Sequence, residues 1–312
     1  MKKFLFALLV VALMASSVFA WAPEKDITVI VAYKAGSGTD NTARMLAEYA
    51  AKSLGQKLII KNIEGGSGSK GWEELAKAKP DGYTLGFVNL PTLCANIVEG
   101  TAGYKVDDFA PVCNHVNEVS IVLVAQNSQF KTLEDLVKYG KEYPGVLKAA
   151  TNGEKASNHI GAELLADTAG FTYEAKHYGG TADQLRALRL GEADFSVAKE
   201  ADIASMKDDV RMLAVFDATR MEKYPNVPTL GELGYYNKWY GSARAIAAPK
   251  GTPKEIIDFY QAAFFEAMND DDYLAAAERA GITTMFMNSS DTANLISEQY
   301  EFCTNEIAKL WE

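Results

Sequence analysis

Cysteine and histidine are both scarce, with three of each in 312 residues. His115, His159 and His177 fall in neither H-x-x-x-H nor H-E-x-x-H spacing, so the pattern that sets two imidazoles on one helix face for a metal is missing. Cys94, Cys113 and Cys303 match no zinc module, and none stands beside a histidine in a nucleophile motif. They are expected to be buried or paired structural residues, with the pairing left open by their odd number. The phosphate loop G-x-x-x-x-G-K-[ST] and the G-x-S-x-G elbow of serine hydrolases do not occur. Blocks of basic residues are absent too: 31 Lys and Arg face 41 Asp and Glu, a net charge of −10. Such a chain repels nucleic acid and anionic lipid over long range. Beyond the first residues no long apolar run follows, so a retained membrane-spanning helix is not expected.

The start of the chain is different in kind. Met1-Lys2-Lys3 leads into an apolar stretch from Phe4 to Met14 and then the small residues Ala15 to Ala20, the arrangement of an export signal. Cleavage is expected after Ala20, since a cut after Ala22 would leave Pro23 at the new terminus, and no cysteine follows to accept a lipid. Removing this segment takes away two lysines and no acid, leaving an even more acidic periplasmic protein. Its length exceeds what a single core comfortably fills, which predicts two lobes.

Strand and helix signals alternate along most of the chain. The β-branched run Asp26 to Tyr33 ends at Gly36-Ser37-Gly38, and Asn41 to Ser53 carries Ala43, Leu46, Ala47 and Ala50 at helical spacing. A second unit follows, with Lys57 to Ile60 as strand, a Gly/Ser loop from Glu64 to Gly71, a helix from Trp72 to Ala78, and a strand from Tyr83 to Val88. Val119 to Ala125 reads as a strand and Leu133 to Tyr143 as a helix closed by Pro144-Gly145. Leu147 to Thr151 is a short strand, His159 to Ala169 and Ala182 to Leu190 are helices, and Ala193 to Val197 and Arg211 to Phe216 are strands. Repeated βα units imply parallel sheets covered by helices on both faces. After a strand from Ala243 to Ala248 come long helices, Lys254 to Met268 and Ser290 to Leu310, with no sheet of their own, so the chain is expected to cross back to the first lobe. The expected division is residues 21–123 with 245–312 as domain I and 124–244 as domain II, hinged at the two crossovers.

Two loops carry the chemistry. Tyr33 to Asp40 joins a strand to a helix, where unpaired N–H groups and the positive end of the helix dipole attract an anion. The alternative is a tight turn in which Thr39 or Asp40 merely caps the helix. Thr151 to Asn158 repeats the arrangement in the other lobe. Gly66 to Gly71 fits G-x-G-x-x-G, but the strand after it ends at Asn89 rather than at an acid that could hold a ribose, so a flexible connection is expected there instead of a dinucleotide site. Asp270-Asp271-Asp272 lacks the alternation of a calcium loop and reads as helix capping. Tyr235, Tyr236, Trp239 and Tyr240 are core or hinge packing, or else a wall against an apolar ligand.

Taken in order, several motifs resemble the solute receptors of tripartite tricarboxylate transporters, the Bug or TctC family, over essentially the whole mature chain. They are Ile30-Val31-Ala32 leading to Gly36-Ser37-Gly38-Thr39-Asp40 with Ala43-Arg44; Pro80 to Leu85; Asp108 to Val112; Tyr178-Gly179-Gly180; Arg220 with Tyr224 to Leu230; Glu232-Leu233-Gly234; and Trp239 with Ala248 to Pro253. The resemblance implies an α/β, bilobed, type II-like periplasmic-binding-protein fold. It also implies a carboxylate held by backbone N–H groups, hydroxyls and waters with little help from charged side chains. The ligand-binding residues expected are Tyr33, Gly36, Ser37, Gly38, Thr39, Asp40, Asn89, Thr151, Asn152, Ser157, Asn158, Tyr178, Gly179, Gly180 and Thr181. Departures from the family pattern are Ser37, Lys34, Glu154 with Lys155, and Lys176-His177; Lys34, Lys155 or Lys176 could meet a second carboxylate, the alternative being a solvated lysine, and Asp40 is expected to cap.

The expected function is a monomeric receptor that closes around one organic anion, a di- or tricarboxylate, an acidic amino acid or an aromatic acid, and presents it to the permease subunits of such a transporter. No cofactor, metal or catalytic residue is expected. The other readings are a periplasmic enzyme acting on a carboxylate, which would need a nucleophile beside a base such as Ser157 with His159, and a sensor subunit presenting the solute to a signalling receptor.

Overall fold

The computed structural model describes residues 21–204 and 206–311, and the export signal expected at Met1 to Ala20 lies outside them. Eleven strands among the described residues form two mixed sheets. The first holds β1 (Ile27–Val31), β2 (Leu58–Asn62), β3 (Thr84–Leu90), β4 (Phe109–Val119), β10 (Gly241–Pro249) and β11 (Thr284–Met287), in the order β11-β4-β10-β3-β1-β2. The second holds β5 (Ile121–Ala125), β6 (Lys148–Thr151), β7 (Glu174–His177), β8 (Phe195–Ala198) and β9 (Val210–Val215), in the order β7-β6-β8-β5-β9. β1 runs parallel to β2 and β3, and β6 parallel to β7 and β8. β10 is antiparallel to β3 and β4, and β5 to β8 and β9, so neither sheet is all-parallel as the βα repeats suggested.

Helices cover both faces of the first sheet, and the period of two along β1 shows how. Ile27, Val29 and Val31 point into a core shared with α1 (Gly38–Leu54) and α8 (Lys254–Met268). Ile30 and Ala32 point into the opposite core, with Trp72 and Leu75 of α2 (Ser69–Ala76), Leu93 of α3 (Thr92–Val98) and Leu295 and Ile296 of α10 (Ser289–Phe302). That second core continues without a break into the other lobe, through Leu133 and Leu136 of α4 (Leu133–Glu142) and Ile160 and Leu164 of α5 (Ser157–Ala169). The remaining helices are α6 (Thr181–Arg189), α7 (Glu200–Ile203) and α9 (Asp271–Arg279); α9 is capped by Asp270, whose Oδ1 accepts from the N–H groups of Asp272 and Tyr273.

The chain changes sheet at Ser120 and returns at Tyr240, a few residues before the 123/124 and 244/245 boundaries expected from sequence. At this passage three backbone bonds close a ring: Ser120 N–H to Tyr240 C=O (2.9 Å), Tyr240 N–H to Phe216 C=O (3.0 Å), and Phe216 N–H to Ser120 C=O (2.9 Å). Tyr240 is buried there against Phe216 and Phe302, and its hydroxyl donates to the carbonyl of Ser157. The aromatic cluster is therefore packing, and none of its four residues lines the cleft between the lobes. Three strands escaped the sequence reading: β4, which precedes the break at Ser120; β7, at the edge of the second sheet; and β11, four residues that give the C-terminal segment a place in the first sheet.

Candidate functional site

Between the lobes lies a cleft of about 570 Å³. Its walls are the loops that leave the carboxyl ends of β1, β3, β6, β7 and β8, the end of an α/β sheet where ligands bind. Twelve of the fifteen residues expected from sequence line it: Tyr33, Ser37, Gly38, Thr39 and Asn89 on one side, and Asn152, Ser157, Asn158, Tyr178, Gly179, Gly180 and Thr181 on the other.

Gly36, Asp40 and Thr151 do not line it. Ser37, not Asp40, is the N-cap of α1: its Oγ accepts from the Asp40 N–H at 3.3 Å. Asp40 turns back under the loop, where its carboxylate accepts from the Gly36 N–H (2.8 Å), Arg44 Nε (2.9 Å) and Asn62 Nδ2 (2.9 Å). Burial opposes its charge, but the bonds from Arg44, Gly36 and Asn62 outweigh that and hold its carboxyl below the usual range. Gly36 supplies the positive φ of 79° that this reversal needs. Thr151 is enclosed, and its hydroxyl bonds His177 Nδ1 at 2.7 Å, tying β6 to β7.

Among the helix starts facing the cleft are those of α1, α5 and α6, whose first N–H groups have no intrahelical acceptor. At the first, Thr39 Oγ1 accepts from Asn89 Nδ2 (2.7 Å). At the second, Asn158 Nδ2 donates to Gln184 Oε1 (2.9 Å). The Gly/Ser segment read as a flexible connection is also part of the site. Gly65, Ser67, Gly68 and Lys70 line the cleft, and Ser67 Oγ donates to the Glu154 carbonyl on the opposite loop at 3.0 Å.

Sequence reasoning missed the charged floor. Arg244 of β10 is 4% exposed and Lys199, which follows β8, is 2% exposed; both line the cleft, as does Asp202. Arg244 stands opposite Asn89 in the β10/β3 register, in ionic contact through Nη1 with Glu118 of β4, itself 2% exposed. Neither Nε nor Nη1 of Arg244 has a hydrogen-bond partner of good alignment. Its Nη2 lies 3.2 Å from where a Cβ on Gly38 would stand, and Asp202 Oδ1 lies 3.4 Å from the same point. Lys199 Nζ donates to Ser157 Oγ (3.1 Å) and to Asn158 Oδ1. Burial, aided by Arg244, pulls the Lys199 pKa down to about 8 against the pull of Asp202 and Glu118. Burial likewise raises the Glu118 carboxyl above its ordinary value, with Arg244 opposing. A usable signal was present: Arg244 is the one charge in the small apolar run Gly241 to Pro249, and Lys199 sits at the carboxyl end of a strand.

Of the three lysines considered as counter-charges, only Lys34 reaches the cleft, and it also meets Asp183 across it at 3.4 Å. Lys155 pairs with Glu99 (3.3 Å) and Lys176 with Glu174 on the outer side of β7.

Residues 42–310 match the model of the tripartite tricarboxylate transporter family receptor (TctC). The chain belongs to this TctC receptor family. A relative of Cupriavidus necator, the UPF0065 protein of the gbd 5′ region, is 30% identical over 278 residues, 88% of this chain and 84% of that protein. Among solved structures, MatC of Rhodopseudomonas palustris with bound malate is 24% identical, with a TM-score of 0.82 over 91% of this chain and 99% of MatC. A second R. palustris protein, Rpa4515 with adipate, is 23% identical with a TM-score of 0.83, over 92% and 97%. These likenesses establish the shared two-lobed periplasmic-binding-protein fold. Arg244 and Lys199 line the cleft beside the amides and hydroxyls expected from the resemblance.

Proposed function

We propose that this chain is an exported solute receptor that closes around one small carboxylate-bearing anion and delivers it to the membrane subunits of a tripartite tricarboxylate-type transporter. The observation that carries this reading is the convergence, on one cleft, of two helix N-termini from different lobes with two buried cations. Family membership supports the transporter as partner, and malate and adipate in the two R. palustris proteins support carboxylates as the solute class. Met1 to Ala20 is the export signal in this reading, the mature receptor is a monomer, and the backbone ring at Ser120, Phe216 and Tyr240 is the hinge.

One contact favours an enzymatic reading: Ser157 Oγ lies 3.1 Å from Lys199 Nζ, a hydroxyl beside an amine whose pKa is depressed. Against it, Lys199 donates to both Ser157 and Asn158, and Asp202 and Glu118 oppose the loss of its proton. His159 is occupied by the Lys155 N–H (2.8 Å) and by Glu163 (3.2 Å).

A thermal-shift screen of the purified protein against organic acids, each paired with its amide, tests the proposal. A ligand at a hundredfold its Kd stabilises by about 2.7 kcal/mol, so a rise for the acid and not its amide, with the acid recovered unchanged, is the expected result. Conversion of the acid would establish the enzyme instead, and no shift with any acid would overturn the receptor reading.

A further inference from the structure

Among the described residues two that are not glycine hold a positive φ, Ser67 at 51° and Lys155 at 56°. They lie on facing loops of different lobes, Ser67 between β2 and α2 and Lys155 between β6 and α5. Left-handed backbone is costly for such residues and persists only where neighbours hold it. Each loop is gripped from behind by a buried side chain: Asn96 Nδ2 of α3 donates to the Gly66 and Ser67 carbonyls (3.4 Å each), and His159 Nδ1 of α5 accepts from the Lys155 N–H (2.8 Å). Each loop then reaches across to the other lobe. Ser67 Oγ donates to the Glu154 carbonyl at 3.0 Å, and the Lys155 ammonium meets Glu99 Oε2 at 3.3 Å. Glu99 directly follows α3, so the helix that steadies Ser67 through Asn96 also presents the carboxylate to Lys155. The Glu99 side chain is 10% exposed, stands at the negative end of α3, and has its other oxygen buried without a hydrogen-bond partner among the described residues. Burial raises its carboxyl above the ordinary value, and Lys155 opposes that rise. The Lys34–Asp183 pair also crosses the cleft, but its side chains are 45% and 52% exposed, and such a pair contributes little.

We propose that Ser67, Glu99, Glu154 and Lys155 form a latch between the lobes that holds the protein closed before any solute arrives. This rests on the receptor reading above and adds to it a control of affinity that lies outside the solute's own contacts. Because both loops are fixed from behind, the latch forms with little further ordering. Glu154 and Lys155 stand between Gly153 and Ala156, which line the cleft, and Glu99 is also outside the lining, so the Glu99–Lys155 contact acts on the solute through closure alone. Apparent affinity scales with the fraction of receptor in the binding-competent closed form. The latch therefore tightens the binding of whatever the cleft accepts, and it slows association, since the solute enters through the minor open form.

The test is small-angle X-ray scattering of the purified protein, freed of co-purified solute by unfolding and refolding from urea, with malate as the probe. The parent protein is expected to give the same radius of gyration with and without malate. Lys155→Gly, which suits the positive φ and so keeps the fold, and Glu99→Gln are each expected to expand the solute-free protein. The double change should expand it no more than either single one, because both break the same contact. Malate should contract all three variants to the parent's dimensions, bind them about fivefold more weakly than the parent, and associate with them faster in stopped flow. Variants as compact as the parent without malate, or a parent that contracts on adding malate as much as the variants do, would overturn the latch and leave the receptor reading standing. Expansion of the solute-free variants is read without any solute, so a failure of malate to bind bears on the receptor reading and not on the latch.

Discussion

The guanidinium of Arg244 rests against Gly38, its Nη2 3.2 Å from the position a Cβ would take. The backbone at Gly38 is helical, so the residue is glycine for space and not for conformation. The obstructing atom is the end of a flexible side chain, which can move. Gly38→Ala should therefore change the melting temperature by less than about 3 °C, the shift that roughly 1 kcal/mol produces in a chain of this size. Solute affinity should fall tenfold or more, because the displaced guanidinium and the added methyl both intrude on the α1 start. Calorimetry alongside a melting curve separates the two effects.

Glu118 and Arg244 are a buried ion pair, and breaking such a pair from one side leaves a charge with no compensation. Glu118→Ala alone is expected to cost about 3 kcal/mol in urea unfolding. Glu118→Gln combined with Arg244→Met should recover more than half of that loss. Equal destabilisation by the single and the double change would mean that the pair is not coupled.

Lys199 makes solute affinity sensitive to alkali. It is packed against Ser157, Asn158 and Asp202, with Arg244 and Glu118 nearby, and its pKa sits near 8 against 10.5 for a free lysine. Below pH 8 the ammonium is charged and can hold an anion. As the pH rises past 8 the free receptor loses that proton, and affinity should weaken by up to tenfold per unit until the pKa of the bound form is reached. Binding at pH 8.5 should then take up a proton, seen as a difference in apparent enthalpy between buffers of unlike ionisation heat, and Lys199→Met should abolish it. For stability the sign is opposite: between about pH 8 and 10.5 the unfolded chain binds more protons at this position, so the contribution of Lys199 to folding rises with pH.

His115 governs the acid side. It is fully buried, bonded to the Tyr273 hydroxyl, and burial with help from Arg244 depresses its pKa to about 3. Between pH 6.5 and about 3 the unfolded chain takes a proton there that the folded chain refuses, so stability falls as the pH falls. The slope in that window should be of order 1 kcal/mol per pH unit. His115→Gln should flatten it in urea titrations at pH 4, 5 and 6, and an unchanged slope would assign the acid loss to other groups.

Local chemistry alone determined much of this protein. The β-branched run before Gly36, the glycine and serine loops, and the helical spacing of Ala43, Leu46 and Ala50 each depend on neighbours within a turn or a pleat, so the βα units and most of the two anion-facing loops could be read residue by residue. The ordered motifs from Ile30 to Pro253 carried the family for the same reason. Tertiary structure decided what depends on distant partners. Val119 to Ala125 reads as one apolar run, but the pairing of β4 with β10 and of β5 with β8 and β9 splits it at Ser120. Asp40 lies in the right loop yet faces away, because Asn62 and Arg44 satisfy it from behind. The floor of the cleft was hardest to see. Arg244 reads as an interruption of a strand, and Lys199 as the start of a short polar turn, until the strand order sets β10 beside β3 and turns the end of β8 toward α5. A buried charge is tolerated only where partners far along the chain converge on it, and that convergence is a property of the fold.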